Sequence, residues 1–328
     1  MTILSVNNGL QMNAQAVIFE GPKNIKLSKL EVNEMVEGDV EIDVAYTGIS
    51  TGTERLLWEG SMPNFPGMGY PLVPGYEAVG QIKKNNSKFD LKEGDYVFVP
   101  GAYSFKNVRN LFGGSGSRLV VPAERVISVT EANAQSATLL ALAATAYHSV
   151  SKGGALNTAE PPDLIIGHGI MGRLLARMTV AAGMPAPTVW EINPARMSGA
   201  KEYGYTVINP NEDTKKDYRA IYDVSGDSSL LNKLISHLAP GGEVVLAGFY
   251  TNELSFNFAA AFMKEPQIRV AAQWKRCDLD AVSLLLNNGR LCLDGLITDT
   301  SRPGQAQEAY ESAFCDPHCL KMILDWRN

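Results

Sequence analysis

The pattern of apolar and polar residues changes character near residue 135. Before that point, short apolar runs separated by Gly and Pro predict β-strands at residues 15–20, 39–49, 76–84, 95–100 and 117–129. In the second run, Val40, Ile42 and Val44 alternate with more polar residues, which is typical of a strand with one face on a core. The chain is therefore expected to begin with a β-rich domain.

Beyond residue 135, apolar runs of strand length alternate with helical segments, as in a parallel α/β sheet. The predicted strands are residues 162–167, 187–192, 205–209, 220–226, 242–249 and 267–272, and the predicted helices are residues 171–182, 194–203 and 228–238. After Trp274, the pattern predicts two further helices and a final strand.

The composition, 45% hydrophobic and 20% charged over 328 residues, fits two globular domains. The net charge is −6, and no Lys/Arg run exceeds the pairs at 83–84 and 215–216, so a nucleic-acid-binding role is not expected. No apolar stretch approaches the roughly 20 residues of a membrane span, and residues 1–12 do not resemble a signal peptide. These features predict a cytoplasmic protein without a transmembrane segment, whose four cysteines are reduced thiols.

A G-x-G-x-x-G motif follows an apolar strand and precedes a helical run. In this context the first glycine allows a tight turn, the second lets the backbone approach a pyrophosphate, and the third lets the helix pack on the strand. The N–H groups at the helix start would face the phosphates, and the imidazole of His168 either donates to the pyrophosphate or faces solvent. The alternative is a glycine-rich turn without a ligand. The predicted cofactor-binding residues of this turn are Gly167, His168, Gly169, Ile170, Met171 and Gly172.

An acidic residue follows the next predicted strand. Glu191 lies about 20 residues after the last glycine, where a carboxylate binds the adenosine ribose hydroxyls of a dinucleotide. A carboxylate there repels a 2′-phosphate, and the nearest arginine, Arg196, is not adjacent, so NAD is expected rather than NADP. Asp223, Ser225 and Gly248 follow later strands, over whose ends the same cofactor would lie.

The order of a β-rich domain, a helix, a dinucleotide-binding unit and a short C-terminal return resembles the medium-chain dehydrogenase/reductase superfamily over nearly the whole chain. The resemblance implies an α/β fold class with two domains. A GroES-like β-rich catalytic domain would span residues 1–137 and 275–328, and a Rossmann domain with a doubly wound parallel sheet would span residues 138–274. The nicotinamide would lie in the cleft between them.

Two segments differ from the zinc-dependent members of that superfamily. Residues 46–54 stand where those members have a Gly-Ile-Cys-Gly-Thr-Asp-like run, with Ser50 or Thr51 in place of the ligand cysteine. Residues 75–77 stand in place of a Gly-His-Glu motif, with Tyr76 instead of the ligand histidine. Hydroxyls are poor zinc ligands, so the resemblance implies a dehydrogenase without a catalytic metal.

A narrower resemblance extends from residue 48 to residue 326. Strings such as GISTGTERLLW, GHGIMGRLLAR and LAPGGEVVLAGFY look like those of the dehydrogenases of bacteriochlorophyll biosynthesis. The resemblance implies NAD-dependent oxidation of the 3-(1-hydroxyethyl) group of bacteriochlorophyllide a, or of chlorophyllide a, to a 3-acetyl group. Two alternatives are a zinc-free quinone or enone reductase and a non-catalytic NAD(H)-binding protein.

Without zinc, a protein group must polarise the oxygen of the alcohol. Tyr76 is the first candidate, provided that its neighbours lower its pKa from about 10. Ser50, Thr51 or Thr53 would then relay the proton outward. The alternative for Tyr76 is a packed aromatic residue whose hydroxyl bonds a backbone acceptor.

Three further charged or titratable positions have open roles. Glu77 would orient Tyr76 or a water, or would pair with Arg55 as a structural carboxylate, while Glu54 and Arg55 are expected to form a local ion pair. His148 is a second candidate base because an unperturbed imidazole has a pKa of about 6.5. The alternative for His148 is a helix residue with satisfied hydrogen bonds.

The segment 56–75 is rich in Pro, Gly and aromatic residues and is expected to be an ordered loop. It either lines a flat apolar cleft for a chlorin or bacteriochlorin, with Arg109 or Arg118 binding a propionate, or packs its own side chains onto the barrel. The run 242–258 is expected to pair as an edge strand in a homodimer, as the superfamily resemblance suggests. The predicted substrate-binding residues are Trp58, Met62, Phe65, Met68, Tyr70 and Phe112.

Overall fold

The first part of the chain folds mainly into antiparallel strands. The computed structural model describes residues 12–64, 66–151 and 160–327. Its N-terminal elements are β1 (Asn13–Gly21), β2 (Asn24–Glu31), β3 (Asp39–Gly48), α1 (Thr53–Glu59), β4 (Leu72–Val73), β5 (Ala78–Asn85), β6 (Tyr96–Val99), β7 (Arg109–Asn110), β8 (Arg118–Pro122) and β9 (Ile127–Ser128). The predicted β-rich half is confirmed. The sequence pattern does not predict β2, because only three of its eight residues are apolar.

The second part of the chain is a parallel sheet flanked by helices. Its elements are α2 (Leu140–Val150), β10 (Leu164–Ile166), α3 (Ile170–Ala181), β11 (Thr188–Trp190), β12 (Thr206–Ile208), β13 (Tyr218–Asp223), α4 (Leu231–His237), β14 (Leu238–Leu246), α5 (Phe258–Phe262) and β15 (Gln267–Val270). The strands pair in the order β12-β11-β10-β13-β14-β15. β11 and β12 lie on one side of β10, and β13, β14 and β15 lie on the other, so the strand order reverses at β10. Open α/β sheets bind ligands at the carboxyl ends of strands at such a point.

The chain then returns to the β-rich half through α6 (Arg276–Asn287), β16 (Asp299–Ser301), α7 (Ala306–Cys315) and β17 (Met322–Asp325). β17 pairs antiparallel with β3, with Ile323 opposite Gly48. β3 also pairs with β5 and β8 and is therefore central in its sheet. The end of β3 thus lies beside a strand that is distant in sequence.

One predicted helix is wrong. Residues 194–203 form two separate 3₁₀ turns, Pro194–Arg196 and Lys201–Tyr203. Between them, Gly199 has a φ of +81°, and a Cβ there would lie 2.6 Å from Nη1 of Arg173. The backbone therefore bends at a glycine to admit a guanidinium from α3, which no helix could do at this position.

A shared apolar cluster connects the two halves. Val79 and Phe98 of the β-rich half pack with Leu140 of α2 and with Leu174 of α3 and Tyr222 of β13. The α/β fold class, with a GroES-like half and a Rossmann half, is confirmed, whereas the domain boundaries remain predictions. No helix within the described ranges is both long enough and apolar enough to span a bilayer.

Candidate active site

The glycine turn after β10 has the geometry that its sequence predicts. Gly167 has a φ of +99°, which residues with side chains rarely adopt. A Cβ on Gly172 would lie 1.9 Å from the carbonyl oxygen of Gly167, so only glycine lets α3 pack this closely on the strand. A Cβ on Gly169 would meet nothing within 4 Å.

The start of α3 fits a pyrophosphate. Gly169 is the N-cap residue and supplies no side chain to cap the first turn, which lies beside open space. The side chain of Ile170 is buried in the core and that of Met171 packs against it, so these two residues would contribute through their backbone N–H groups. The turn can therefore hold a dinucleotide.

The prediction for the imidazole of His168 is corrected by the structure. His168 is fully buried, with Nδ1 2.6 Å from the carbonyl oxygen of Arg196 and Nε2 2.8 Å from the hydroxyl of Tyr205. Burial lowers its pKa to about 4, so the ring is neutral at pH 7. Both ring nitrogens have internal partners, and the side chain neither faces solvent nor reaches a pyrophosphate.

Glu191 lies at the carboxyl end of β11 with its carboxylate held by the backbone. Oε1 accepts hydrogen bonds from the N–H groups of Ile192 and Asn193, both at 2.8 Å, and Oε2 accepts one from His168 at 2.9 Å. These bonds fix the carboxylate beside the glycine turn. Each carboxylate oxygen has a second lone pair, so the group can still accept from a ribose hydroxyl.

The other predicted cofactor residues lie along the same sheet edge, where Asp223 of β13 pairs in register with the end of β10. Its Oδ1 accepts hydrogen bonds from N and Oγ of Ser225 at 2.9 and 2.6 Å, and burial raises the pKa of the carboxyl group. Gly248 donates from its N–H to the carbonyl oxygen of Asp223 at 3.0 Å. The structure therefore brings Gly167, Glu191 and Asp223 to one edge.

A pair of hydroxyls lies at the end of β3. Oγ of buried Ser50 and Oη of half-buried Tyr76 are 2.5 Å apart, and the Tyr76 ring contacts Phe112 edge to face at 5.3 Å between centroids. A hydrogen bond from Thr53 also reaches the Tyr76 phenol, whereas Thr51 is exposed. The structure thus brings together Ser50, Thr53, Tyr76 and Phe112.

The condition attached to Tyr76 is not met. Burial, reinforced by the nearby charge of Glu77, raises the pKa of the phenol, and the bonds from Ser50 and Thr53 only partly oppose this effect. The phenol is therefore protonated at neutral pH. It can donate a hydrogen bond to a substrate oxygen, but it does not act as a standing phenolate base.

Glu77 is paired with a residue that the sequence reasoning missed. Oε2 of Glu77 accepts from Nζ of Lys321, and both side chains are fully buried, so the alternative partner Arg55 is excluded. Lys321 also donates to the carbonyl oxygen of Ile49 at 2.9 Å, while Oε1 of Glu77 has no hydrogen-bond partner. The sequence signal for this buried partner is a lone lysine in the apolar run 319–324, directly before β17.

The expected Glu54–Arg55 ion pair is wrong. Arg55 pairs with Glu59 on the surface of α1. Glu54 is fully buried, accepting from the hydroxyl of Tyr310 at 2.6 Å and from the N–H of Ser50 at 3.2 Å. Burial raises the pKa of Glu54 to about 8. A protonatable carboxyl group therefore accepts a hydrogen bond from the backbone of Ser50, one member of the hydroxyl pair.

His148 lies in a different buried cluster. Its Nδ1 is 2.7 Å from Oδ2 of Asp278 on α6, and Oγ of Ser151 donates to the same carboxylate at 3.4 Å. No hydrogen bond joins His148 to Ser50 or Tyr76 in the described part of the chain. The arrangement matches the alternative interpretation, a satisfied helix residue.

The segment 56–75 is not wholly a loop, because it begins in α1 and contains β4, and it packs largely onto the barrel. Trp58 is buried against Phe314, with ring centroids 5.4 Å apart, and the hydroxyl of Tyr70 donates to the carbonyl oxygen of Leu57. Met62 and Met68 are half-buried against the same cluster, and Phe65 lies outside the described residues. Trp58 is thus a core residue, and Phe112 is the substrate candidate that contacts Tyr76.

The two arginines considered for a propionate both have internal partners. Arg109 donates to the carbonyl oxygen of Tyr70 at 3.0 Å, and Arg118 pairs with Asp43 at 2.9 Å. Arg118 also lines a cavity of about 920 Å³ that neither Ser50 nor Tyr76 lines. This cavity is therefore separate from the hydroxyl pair.

The residues at the two zinc-ligand positions do not fit a zinc ion. Ser50 offers a hydroxyl, and Tyr76 offers a phenol that stays protonated. Within the described residues, no group of three or more His, Cys, Asp or Glu side chains could hold a metal. Zinc sites are built from thiolate, imidazole and carboxylate ligands, so no step is derived through a protein-bound zinc.

Comparison with known proteins identifies the family. The 2-desacetyl-2-hydroxyethyl bacteriochlorophyllide A dehydrogenase of Rhodobacter capsulatus is 51% identical over 318 residues, which cover 97% of this chain and 99% of that protein. The chain belongs to this dehydrogenase family. The protein of the same name from Cereibacter sphaeroides is 49% identical, with 96% and 99% of the two chains covered. The narrower resemblance seen in the sequence is therefore confirmed.

Two domain families place this dehydrogenase family within the medium-chain superfamily. Residues 36–131 match the alcohol dehydrogenase GroES-like domain, and residues 171–288 match the zinc-binding dehydrogenase family. The crystal structure of L-idonate 5-dehydrogenase from Escherichia coli superposes with a TM-score of 0.83 at 19% identity, covering 96% of this chain and 99% of that one. That likeness shows the shared fold.

Proposed function

We propose that this protein oxidises the 3-(1-hydroxyethyl) group of bacteriochlorophyllide a, or of chlorophyllide a, to a 3-acetyl group with NAD. The observation that carries the proposal is the 51% identity to a named dehydrogenase of this reaction over nearly the whole of both chains. The hydroxyl pair of Ser50 and Tyr76 at the end of β3 gives that reaction a site for proton transfer.

The sheet edge supports NAD as the cofactor. Bound NAD would accept a hydride at the nicotinamide ring. The N–H groups at the start of α3 would hold the pyrophosphate, and Glu191 would accept from the adenosine ribose hydroxyls. Because the carboxylate of Glu191 is fixed in place by three backbone bonds, it repels a 2′-phosphate and favours NAD over NADP.

In this proposal, Tyr76 positions and polarises the alcohol. Its phenol hydrogen-bonds the carbinol oxygen. As the hydride leaves the carbinol carbon, the hydroxyl proton of the alcohol would pass to Oη of Tyr76 while the phenol proton passes to Ser50 or Thr53 and on to solvent. Phe112, in edge contact with Tyr76, would hold the phenol and face the substrate. Glu77, held by Lys321, fixes the backbone beneath the pair.

Anaerobic turnover of the metal-stripped protein tests the proposal. With NAD and 3-(1-hydroxyethyl) bacteriochlorophyllide a, we expect pigment conversion and NADH formation in equal amounts without added zinc. Tyr76→Phe should lower kcat about 10²-fold or more, within the usual range for one acid–base group, while NAD binding is retained. NAD binding without turnover would favour the non-catalytic alternative. Reduction of an enone with NADPH would favour the enone-reductase alternative.

We further propose that the protein is a homodimer formed through the β15 edge of the Rossmann sheet. The run 242–258 does not supply this edge, because β14 lies between β13 and β15. Val270 is 74% exposed on β15, and an exposed apolar group continues onto and just beyond α5, comprising Phe258, Phe262 and Met263. Val270→Lys should shift the sedimentation coefficient to that of a monomer, and an unchanged coefficient would contradict the proposal. The cytoplasmic location remains a prediction.

A further inference from the structure

A second cavity lies beside the dinucleotide turn and has a positively charged lining. It has a volume of about 250 Å³ and is enclosed by α3, residues 195–202 and two segments near residues 295–298 and 317–320. Three arginines line it, and the acidic side chain in the lining is that of Glu202. The arginines are Arg173, Arg177 and Arg196. This is a concentration of positive charge in a chain whose net charge is −6.

Two of these arginines are buried without a carboxylate partner. Arg173 and Arg177 are only 7% and 5% exposed. Arg173 donates to the carbonyl oxygens of His168, Arg196 and Ser198, and Arg177 donates to those of Cys292 and Asp294. Among the described residues, none of the three lining arginines forms a salt bridge. Buried charges are normally paired. The charge of Glu191 acts on Arg173 without an ion pair and Glu202 of the lining is not bonded to the cluster, so the cluster lacks a bonded counter-charge in the part of the chain that the structure describes.

Part of the hydrogen-bonding capacity of this cluster is also unused. Nε of Arg177 is buried without a hydrogen-bond partner, although its guanidinium stacks 3.4 Å from the centroid of the Tyr203 ring. Nη1 of Arg173 makes no hydrogen bond within the described ranges. It lies where a Cβ on residue 199 would be, and this space is open because residue 199 is a glycine with a positive φ. Burial, together with the charges of Arg177 and Arg196, lowers the pKa of Arg173. The backbone thus surrounds guanidinium groups whose positive charges repel one another.

We propose that this cavity binds a phosphate group. Guanidinium groups donate in a planar fork that matches phosphate oxygens, and a doubly charged anion would supply the missing counter-charge. A phosphate group is smaller than the 250 Å³ available. It can arrive as free inorganic phosphate or as part of a phosphate ester other than the cofactor, because Glu191 repels the 2′-phosphate of NADP. The site goes beyond the proposed function, since it requires neither the pigment nor NAD.

Calorimetric titration with inorganic phosphate, in the absence of cofactor and at constant ionic strength, tests the proposal. We expect saturable binding to the wild-type protein and about tenfold weaker binding after Arg196→Gln or Arg177→Gln, because each removes charge-assisted hydrogen bonds. Arg290→Gln is the matched control, because this exposed arginine lies outside the cavity. Equal binding by all four proteins, or none to the wild type, would overturn the proposal.

The Arg196→Gln variant keeps the test decisive if Arg177→Gln does not fold, since the side chain of half-buried Arg196 makes one long bond among the described residues, at 3.4 Å to the carbonyl oxygen of Pro317. Competition then separates the sources of the phosphate. Phosphate that competes with neither NAD nor NADP assigns the cavity to an anion other than the cofactor. Phosphate that competes with NADP but not with NAD would place the 2′-phosphate there and overturn a site that is independent of the cofactor. Competition with NAD in every variant would place phosphate at the start of α3 and contradict the proposal.

Discussion

The two halves of the molecule bury charge in different ways. In the β-rich half, the Glu77 carboxylate is paired with the Lys321 ammonium. In the Rossmann half, Arg173 and Arg177 lie four residues apart on one helix and donate to backbone carbonyls, and Arg177 also bonds the Tyr205 hydroxyl. In the first arrangement the two charges are paired within the chain, whereas the second has no ion-paired carboxylate among the described residues.

The presence or absence of an internal ion pair indicates a different role for each region. A buried pair with opposite charges holds its neighbours in one geometry, and removing either partner leaves an uncompensated charge. Such a pair suits the end of β3, where Ser50 and Tyr76 must keep a fixed separation. Like charges held apart by carbonyl groups are stabilised by an anion from solution, so their stability depends on what is bound.

The largest expected effect comes from breaking the pair. Lys321→Met leaves Glu77 buried with no partner, so the free energy of unfolding should fall by about 3–5 kcal/mol. The double variant Glu77→Gln with Lys321→Met should recover much of this loss, because no charge then stays buried. Urea denaturation of the two variants and the wild type measures both values. A loss below about 1 kcal/mol for the single variant would show that the pair is not structurally important.

A smaller effect is expected from crowding the pair without removing charge. A Cβ on Gly48 would lie 2.1 Å from Oε2 of Glu77, so Gly48→Ala must displace the carboxylate from Lys321. Overpacking of this kind typically costs about 1–3 kcal/mol. Thermal unfolding should show the loss, whereas Gly52→Ala is the control, because a Cβ there meets nothing within 4 Å. Equal stability of the two variants would contradict the described contact.

Glu54 should make stability depend on pH. Its pKa is about 8 in the folded protein and 4.5 in the unfolded reference, so the folded state binds the proton more tightly. Its stabilising contribution is therefore complete below pH 4.5 and is lost as the pH rises toward 8, by up to about 1.4 kcal/mol per pH unit. Glu54→Gln should remove this slope in urea denaturation series between pH 6 and pH 8. Parallel curves for the two proteins would argue against the raised pKa.

The smallest effect is expected in the arginine cluster. Arg177→Met removes a buried charge that has no internal counter-ion and loses two bonds to carbonyl groups, while methionine retains contact with Tyr203. These terms oppose each other, so without phosphate the change in unfolding free energy should stay within about 1 kcal/mol. A loss as large as that of Lys321→Met, measured in the same buffer, would erase the contrast between the two regions.

The sequence predicts features that depend on neighbouring residues and misses those that depend on distant ones. The glycine turn is predictable because Gly167 and Gly172 act within one strand–helix unit. The role of His168 is not, because Tyr205 comes from a separate segment. Likewise, Glu77 and Lys321 are 244 positions apart, and no local pattern links them.

Adjacency in sequence also led to a wrong prediction. Arg55 stands next to Glu54 in sequence, yet α1 directs the carboxyl group into the core and leaves the guanidinium in solvent beside Glu59. On a helix, adjacent residues point in different directions and residues four apart are neighbours. The role of the segment 56–75 was also ambiguous from sequence. Apolar side chains can pack into a core or contact a ligand, and only their burial distinguishes the two roles.

The pairing of β3 with β17 determines when the site can form during synthesis. The Rossmann half, residues 138–274 by prediction, is translated before Lys321, so its contacts are available to a nascent chain early. β3 must wait for β17 to leave the ribosome before it gains its antiparallel neighbour and Glu77 gains its ammonium partner. Because contacts of such high sequence separation form slowly, the proton-transfer hydroxyls would be set in place last, after the cofactor sheet has folded.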